Sequence, residues 1–300
     1  MLDLKTISAA VVLAASTAAC GGSKSAPPAA SAATAGSAEP AGSADDEIAL
    51  ALMEHHRFHH HGGVTLFIAL GLGTLGVPDD RRPAVDEIRK ALLASLEPGR
   101  VAEQAFITTL SDGVAAGSID GAKVDAAVAQ LKTAAQTVHD RSADALNRLH
   151  ALLLPSERAA LVQKVNAHWA VWQNVNAEEA GDALHDEGHL ASLRAELGLT
   201  QDQVDAIRAA LEQHGGPAFD SKEVDAEIHA FDDAFRGDHF DAKALGAADD
   251  ANARMVGWAA EHLAHFLEAA TPSLTPEQRT ALADKLRGHA AHDPSAEATP

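Results

Sequence analysis

Histidine is the residue type whose number and spacing in this sequence could support chemistry. The chain contains 17 histidines, and five of them fall within one short segment: His55, His56, His59, His60 and His61. On a helix, residues four positions apart share a face, which puts His55 beside His59 at a separation that one metal ion can bridge. Neutral imidazole suits zinc, nickel, cobalt or copper. The segment therefore predicts a divalent transition-metal site, with a solvated tract of weak metal affinity as the alternative.

A second pair, His185 and His189, has the same helical spacing and is flanked by acidic residues. The string superficially matches the H-E-x-x-H helix of metalloproteases, but position 186 is Asp and Gly188 weakens the helix. We therefore expect metal binding or simple surface polarity here, and no catalysis. Serines are concentrated near the amino terminus and the chain has a single cysteine, so no catalytic triad is indicated. The sequence predicts a protein that is not an enzyme and has no organic cofactor.

The amino terminus has the features of a secretory signal. Lys5 precedes an uncharged stretch that ends in small residues directly before Cys20, the only cysteine. These small residues resemble the lipobox of bacterial lipoproteins. We therefore predict a signal peptide over residues 1–19 and lipidation of Cys20, which anchors the protein in the outer membrane facing the periplasm. A buried or free thiol is the alternative.

The segment after Cys20 is composed almost entirely of Gly, Ala, Ser and Pro. Such a composition cannot bury a core and is typical of a flexible tether, here residues 20–46. Its root-mean-square reach would be about 30 Å by random-coil scaling. The histidine-rich segment, residues 47–61, follows this tether, and residues 293–300 are predicted to form a disordered tail.

Charge restricts the partners of the protein. The chain carries 43 acidic and 23 basic side chains, a formal net charge of −20. This sign excludes a nucleic-acid backbone and an anionic lipid surface as expected ligands, so membrane contact is predicted through the lipid anchor alone. Basic proteins and metal cations fit better.

From residue 47 onward the hydrophobic pattern is helical. Apolar residues recur at alternating spacings of four and three, as in the run that begins at Val124, Val128 and Leu131. No segment alternates with the period of a strand, so the sequence predicts an all-α fold. The uncharged stretch from Gly62 to Pro78 is just long enough to raise the question of a membrane span. Its glycines and the lipid anchor favour a helix buried in the domain.

An internal repeat is visible in the folded part. With an offset of 121 residues, Leu153–Lys164 aligns with Leu274–Lys285, and Asp120 aligns with Asp241. Upstream, Val85–Leu92 aligns with the segment that begins at Val204, at an offset of 119. Chance similarity between alanine-rich amphipathic helices is the alternative. The collinear blocks predict a tandem duplication, with one helical unit over residues 62–176 and a second over 177–292.

Two short motifs mark helix starts in the second unit. Each has a Thr N-cap with Gln three residues later, which predicts a capping box. The pair resembles the LTxxQ signature of the Spy/CpxP family of periplasmic stress proteins. The aromatic turn Phe235–Asp241 between the motifs looks like the turn that precedes the long central helix of that family. The motif residues are Leu199, Thr200 and Gln203, followed by Leu274, Thr275, Pro276 and Gln278.

The resemblance implies an all-helical fold of long hairpins and an ATP-independent chaperone or stress-sensing activity toward partly folded envelope proteins. Members of the family form a cradle-shaped dimer, and the duplication suggests that this one chain supplies both halves of such a cradle. Client contacts are expected at Phe235, Phe240 and Trp258, with ordinary core packing as the alternative. The family includes zinc-associated members, which fits the histidines. The family is described with a basic concave face, whereas this chain is acidic.

Two other functions are compatible with the sequence. The first is a periplasmic heavy-metal sensor or metal-sequestering protein, in which the helices present histidines and signal to a membrane sensor protein. The second is a structural envelope lipoprotein with neither activity. Aggregation suppression and metal binding, measured on the same protein, separate the three.

Overall fold

The computed structural model describes residues 63–181, 183–214, 219 and 221–290 of the 300-residue chain. Within these ranges the protein consists of α-helices and two short 3-10 turns, with no β-strand. The predicted all-α fold is confirmed. The predicted signal peptide, Cys20, the tether, the histidine-rich segment and the tail lie outside the described residues.

The helices of the amino-terminal half end at residue 181 and those of the carboxy-terminal half begin at residue 183. The first set is α1 (Gly63–Gly73), α2 (Arg82–Ser95), α3 (Glu97–Ala116), α4 (Gly121–Leu152) and α5 (Pro155–Gly181). The second set is α6 (Ala183–Leu197), α7 (Gln201–His214), α8 (Ser221–Arg236), α9 (Gly246–Ala270) and α10 (Pro276–Ala290). The 3-10 turns, Ala242–Ala244 and Thr271–Ser273, flank α9.

Local sequence signals account for the helix boundaries. Proline occupies the first position of α5 and α10, where its missing N–H does no harm. The Asp120 side chain caps α4 by accepting a hydrogen bond from the Lys123 N–H. Gly117 ends α3 with a φ of +81°, a left-handed conformation that favours glycine.

Two long helices, α4 and α9, form the centre of the molecule and run antiparallel. One end of the core joins the amino-terminal half of α4, around Leu131, to the carboxy-terminal half of α9, around Leu267. The other end joins the carboxy-terminal half of α4, around Leu149, to the start of α9, around Met255. Helices α3, α6, α7 and α10 pack at the first end, and α1, α2, α5 and α8 pack at the second. The described helices all belong to one compact unit.

Helix α1 is enclosed by the core. Phe67, Ile68 and Leu72 are almost completely buried, and the Val64 N–H donates to the Asn252 side-chain oxygen at 2.7 Å. Burial on all sides explains why this helix has no polar face. The expectation of a buried helix is therefore confirmed for residues 63–73. Among the described residues, no helix is long and apolar enough to cross a membrane.

The last helix of each half packs against the other half. Helix α10 lies along α3, and α5 lies along α8. The α5 helix also covers α1. Each half therefore depends on the other to bury its apolar surface.

Candidate functional site

Both predicted capping boxes are confirmed. At the start of α7, the Gln203 N–H donates to the Thr200 hydroxyl at 3.3 Å, and the Thr200 N–H donates to Gln203 Oε1 at 3.0 Å. At the start of α10, Thr275 and Gln278 make the same two bonds, at 3.2 and 2.9 Å. Each motif thus satisfies free amides at its helix start.

The two motifs also contact each other, which the sequence reasoning did not foresee. Gln203 Nε2 donates to Gln278 Oε1 at 2.7 Å and to the carbonyl of Ser273 at 2.8 Å. Gln278 Nε2 donates to the carbonyl of Leu197 at 3.1 Å. Leu199 and Leu274 are buried in the core next to these bonds, and Pro276 begins α10. The sign of this contact in the sequence was that both motifs have Gln at the same position.

In the amino-terminal half, an ion pair occupies the corresponding place. The Arg81 guanidinium donates to both carboxylate oxygens of Glu157, at 2.6 and 2.5 Å, and to the carbonyl of Leu152 at 3.3 Å. Glu157 also accepts from the N–H of Leu154 at 2.8 Å. The hydrogen bond from Arg81 holds the pKa of the Glu157 carboxyl below its ordinary value.

The partners at the start of the last helix correspond position by position, whereas Arg81 and Gln203 do not, because at the upstream offset of 119 Arg81 aligns with Thr200. Leu152, Leu154 and Glu157 lie 121 positions before Ser273, Thr275 and Gln278. The carbonyl that accepts from Arg81 therefore matches the carbonyl that accepts from Gln203, and the Leu154 amide capped by Glu157 matches the Thr275 amide capped by Gln278. A charged pair in one half makes the contacts that a neutral amide pair makes in the other.

Two arginines repeat the same offset across the halves. Arg158 on α5 lies 3.8 Å from Asp238, in the turn after α8. Arg279 on α10 lies against Gly117, in the turn after α3, so closely that a Cβ at Gly117 would meet its guanidinium. Each last helix thus places an arginine on the turn that precedes the long helix of the opposite half.

The predicted client contacts lie in the core. Phe235 and Trp258 are 0% and 4% exposed, and Phe240 is half-buried. Phe235 and Phe240 both pack against the ring of His150, whose Nε2 is 2.9 Å from the carbonyl of Gly237. In this conformation Phe235 and Trp258 have no surface to offer a client. Phe235 packs on the aromatic turn, and Trp258, in the middle of α9, packs on Trp172 of α5.

The three tryptophans of the chain form one cluster. The rings of Trp169 and Trp172 stack with centroids 5.1 Å apart, and Trp172 contacts Trp258 at 5.8 Å. Phe219 fills the space between Trp172 and Trp258. Trp169 Nε1 donates to Asp225 on α8 at 2.5 Å. The cluster ties α5 to α8 and α9.

The predicted metal ligands fall outside the described side chains. His55, His56, His59, His60 and His61 precede the first described residue, and the side chains of His185 and His189 on α6 are not described. Among the residues that the structure does describe, no group of three or more His, Cys, Asp or Glu side chains is arranged to hold a metal ion. Metal binding therefore stays a prediction.

The surface offers little apolar area. Over the described ranges, the large hydrophobic side chains that are clearly exposed are Val101 and Leu154. A protein that captures partly folded clients needs an apolar surface. Among the described residues, most large apolar side chains are buried in the core instead.

No protein-family model, curated protein or solved structure was found to match this chain. The likeness to the Spy/CpxP family consequently depends on the two motifs, their spacing and the hydrogen bonds between them. Membership of that family stays a prediction.

Proposed function

We propose that this protein is a lipid-anchored, periplasm-facing and non-enzymatic chaperone of the Spy/CpxP type, which binds partly folded envelope proteins without ATP. The observation that carries the proposal is the closed arrangement of the two LTxxQ motifs. Gln203 and Gln278 each cap a helix and bind the other motif. Because each glutamine is hydrogen-bonded to the other motif, the presence of both glutamines in one chain has a structural explanation.

We further propose that the chain is a duplicated unit that forms an internal pseudo-dimer. Three sets of contacts support this: the Arg81–Glu157 pair with the Gln203–Gln278 pair, the two carbonyls that they bind, and the two arginines on opposite turns. Chance similarity of alanine-rich helices does not explain why Glu157 and Gln278, the two carbonyls, and the two arginines with their turns recur at one offset, 121, although Arg81 and Gln203 are 122 positions apart.

The acidic composition favours basic clients. With a net charge of −20, the protein attracts positively charged polypeptides at long range and repels acidic ones. We therefore expect faster capture of a basic denatured client than of an acidic one of similar size. The difference should shrink as the salt concentration rises.

A paired assay tests the proposal. The full chain is added to a denatured client, and the delay of aggregation is followed with and without zinc, while calorimetry measures zinc binding. The variant in which His55, His56, His59, His60 and His61 are replaced by Ala serves as the matched control. The chaperone proposal predicts a delay by the metal-free protein that the variant retains.

A metal-sequestering protein or heavy-metal sensor is the second candidate. The observation that favours it is the near absence of large exposed apolar side chains among the described residues. It predicts tight, stoichiometric zinc binding that the five-histidine variant loses, with no delay of aggregation by the metal-free protein. That combination would refute the chaperone proposal, and the absence of both activities would favour a structural lipoprotein.

A further inference from the structure

Helix α5 covers the apolar surface that a client would need. Its buried face includes Leu161, Val165 and Trp169, which pack against α1 and α8 in one end of the core. Gly71 of α1 approaches closely, since a Cβ there would lie 3.1 Å from Leu161 and 3.3 Å from Lys164. Removal of α5 would expose apolar side chains of α1 and α8 together.

Polar contacts hold α5 on this surface at several places. At its start, Glu157 pairs with Arg81, and Arg158 lies near Asp238. Further along, Asn166 donates to Asp232 at 2.6 Å, and Gln173 donates to Asp225 at 3.0 Å. The partners of α5 in these contacts are all charged side chains: Arg81, Asp225, Asp232 and Asp238.

His168 interrupts this set of polar contacts. It is 4% exposed, its ring stacks on Phe67 of α1 with centroids 5.9 Å apart, and its Nδ1 is buried without a hydrogen-bond partner. Burial, reinforced by the positive charge of Lys164, lowers the pKa of His168 to about 4. The imidazole is therefore neutral while α5 is in place, and a proton on it is best accommodated when the helix leaves.

The groups around His168 do not neutralise a positive charge on its imidazole ring. Helix α1 has no charged residue, and on α8 the side chains of Asp225 and Asp232 are engaged by Trp169, Gln173 and Asn166. His229, Asp233 and Arg236 of α8 act on Asp232. On α9, Arg254 pairs with Glu223 of α8, and on α6, Glu196 pairs with Lys285.

Two carboxyls in the same interface also titrate, but neither favours release of α5 in the pH range in which His168 does. Arg81 lowers the pKa of Glu157, so this ion pair persists until the pH falls below the ordinary range of a glutamate. Burial raises the pKa of Asp232, and protonation of that carboxyl stabilises the folded form as the pH falls. We therefore expect the release of α5 to develop between pH 6.5, the ordinary pKa of histidine, and about pH 4, the pKa of His168 in the folded protein.

We propose that α5 is an acid-released cover, and that the apolar surface beneath it on α1 and α8 binds apolar segments of partly folded polypeptides. The inference rests on the proposed chaperone function and adds its regulation. The start of the equivalent helix α10 is held by the neutral Gln203–Gln278 pair, which does not titrate, and the ion pairs of Lys285 and Arg287 further along α10 are at the surface.

Hydrogen exchange measures the release directly, because amide protection reports local opening. A single histidine of ordinary pKa in the open form would raise the open-to-closed ratio about thirtyfold between about pH 7.5 and about pH 5, and the opposing effect of Asp232 makes this the upper bound. We expect this loss of protection in residues 155–173 of α5, after correction for the intrinsic exchange rate. Protection of α10 should change much less, which separates release of α5 from global unfolding.

His168→Phe is the decisive variant, since it fills the same site beside Phe67 and cannot be protonated. Protection of α5 in this variant should lose its dependence on pH over the same interval. His239→Gln is the matched control, because His239 is exposed and lies outside the α5 interface. His168→Gln gives a second test if the phenylalanine variant does not fold. Unchanged pH dependence in a folded His168 variant would overturn the proposal.

An aggregation assay at both pH values separates the two hypotheses. Acid release predicts stronger suppression at about pH 5 than at about pH 7.5, lost in His168→Phe. Equal suppression at both values, with constant protection of α5, would refute the release and leave the chaperone function in place. Loss of protection without suppression at either value would refute the chaperone function and leave α5 a pH-sensitive helix.

Discussion

Gln278 illustrates how much one side chain contributes at the residue scale. Its Oε1 caps α10 through the Thr275 N–H and also accepts from Gln203, while its Nε2 donates to the carbonyl of Leu197. One amide therefore joins the start of α10 to both sides of the loop between α6 and α7. Alanine at this position would leave several of these partners without a hydrogen bond.

We expect Gln278→Ala to lower the free energy of unfolding by about 1–3 kcal/mol, because partly buried donors and acceptors lose their partners. Urea denaturation measures this loss. Gln136→Ala, on the exposed face of α4, is the matched control and should change stability by less than about 0.5 kcal/mol. Equal losses in the two variants would mean that the motif bonds contribute little.

Asp232 is a buried carboxyl whose charge the fold does not fully satisfy. It is 1% exposed, Asn166 donates to one oxygen, and the other oxygen has no hydrogen-bond partner. Burial is the main cause that raises its pKa. Because the folded-state pKa is above the unfolded one, the stability that this group contributes is full at low pH and lost as the pH rises through the folded value.

Asp232→Asn should therefore raise the unfolding free energy on the alkaline side of the raised pKa of Asp232, where the wild-type carboxyl is ionised in the folded protein. The advantage over the wild type should shrink as the pH falls toward the ordinary range of an aspartate. Urea titrations at several pH values test this, with Asp125→Asn, on the exposed face of α4, as the control. A constant difference across the pH range would show that the charge of Asp232 is not the cause.

At the scale of elements, much of the helical pattern followed from the sequence. The capping boxes, the prolines at helix starts and the Asp120 cap were all readable, because they depend on residues within one turn. The contact between Gln203 and Gln278, and that between Arg81 and Glu157, join residues 75 and 76 positions apart. Local periodicity contains no information about such pairs.

The same limit explains the client-contact prediction. Phe235 and Trp258 occur at helical spacings that fit either a core or an exposed face, and only the packing of α5 and α4 on them decides between the two. The buried position of His168 was also unpredictable, because its burial comes from α1, a helix about a hundred positions away. The residues that hold α5 could therefore not be predicted from the sequence.

A double-mutant cycle on Arg81 and Glu157 tests the equivalence of the two helix starts. Arg81→Gln alone leaves the largely buried Glu157 carboxylate without its cation and should be clearly destabilising. The double variant Arg81→Gln with Glu157→Gln recreates the neutral pair of the other half, so it should be more stable than Arg81→Gln alone. Thermal unfolding provides the comparison.

Simple additivity of the two single changes would contradict this expectation. The exposed pair Lys90 and Glu87 on α2 supplies the control cycle, since both side chains are mostly in solvent. Its coupling energy should be small, as for other surface ion pairs.

At the scale of the whole molecule, the antiparallel pair of α4 and α9 provides an interface that separate subunits would otherwise have to form. The two helices pack along both ends of the core and are joined by an ion pair between Lys132 and Glu261 at 2.7 Å. The crossed packing of α5 and α10 completes the association of the halves.

The proposed duplication predicts that the full chain is monomeric in solution, because its second unit would occupy the position of a partner. Light scattering coupled to size exclusion should give the mass of one chain, close to 31.1 kDa before any processing. The high net negative charge acts in the same direction, since copies repel one another. A stable symmetric dimer would contradict the internal pseudo-dimer.

The enclosure of α1 has a consequence for the order in which the protein can fold. The Val64 amide at its start is capped by Asn252, a residue 188 positions later. At a synthesis rate of about 5–20 residues per second, roughly 10 to 40 s separate the emergence of the two. The uncharged helix α1 is thus made long before its native cap, and it lacks its partners on α9 until residue 252 has been synthesised. We therefore expect synthesis to be a stage at which this protein is prone to aggregate.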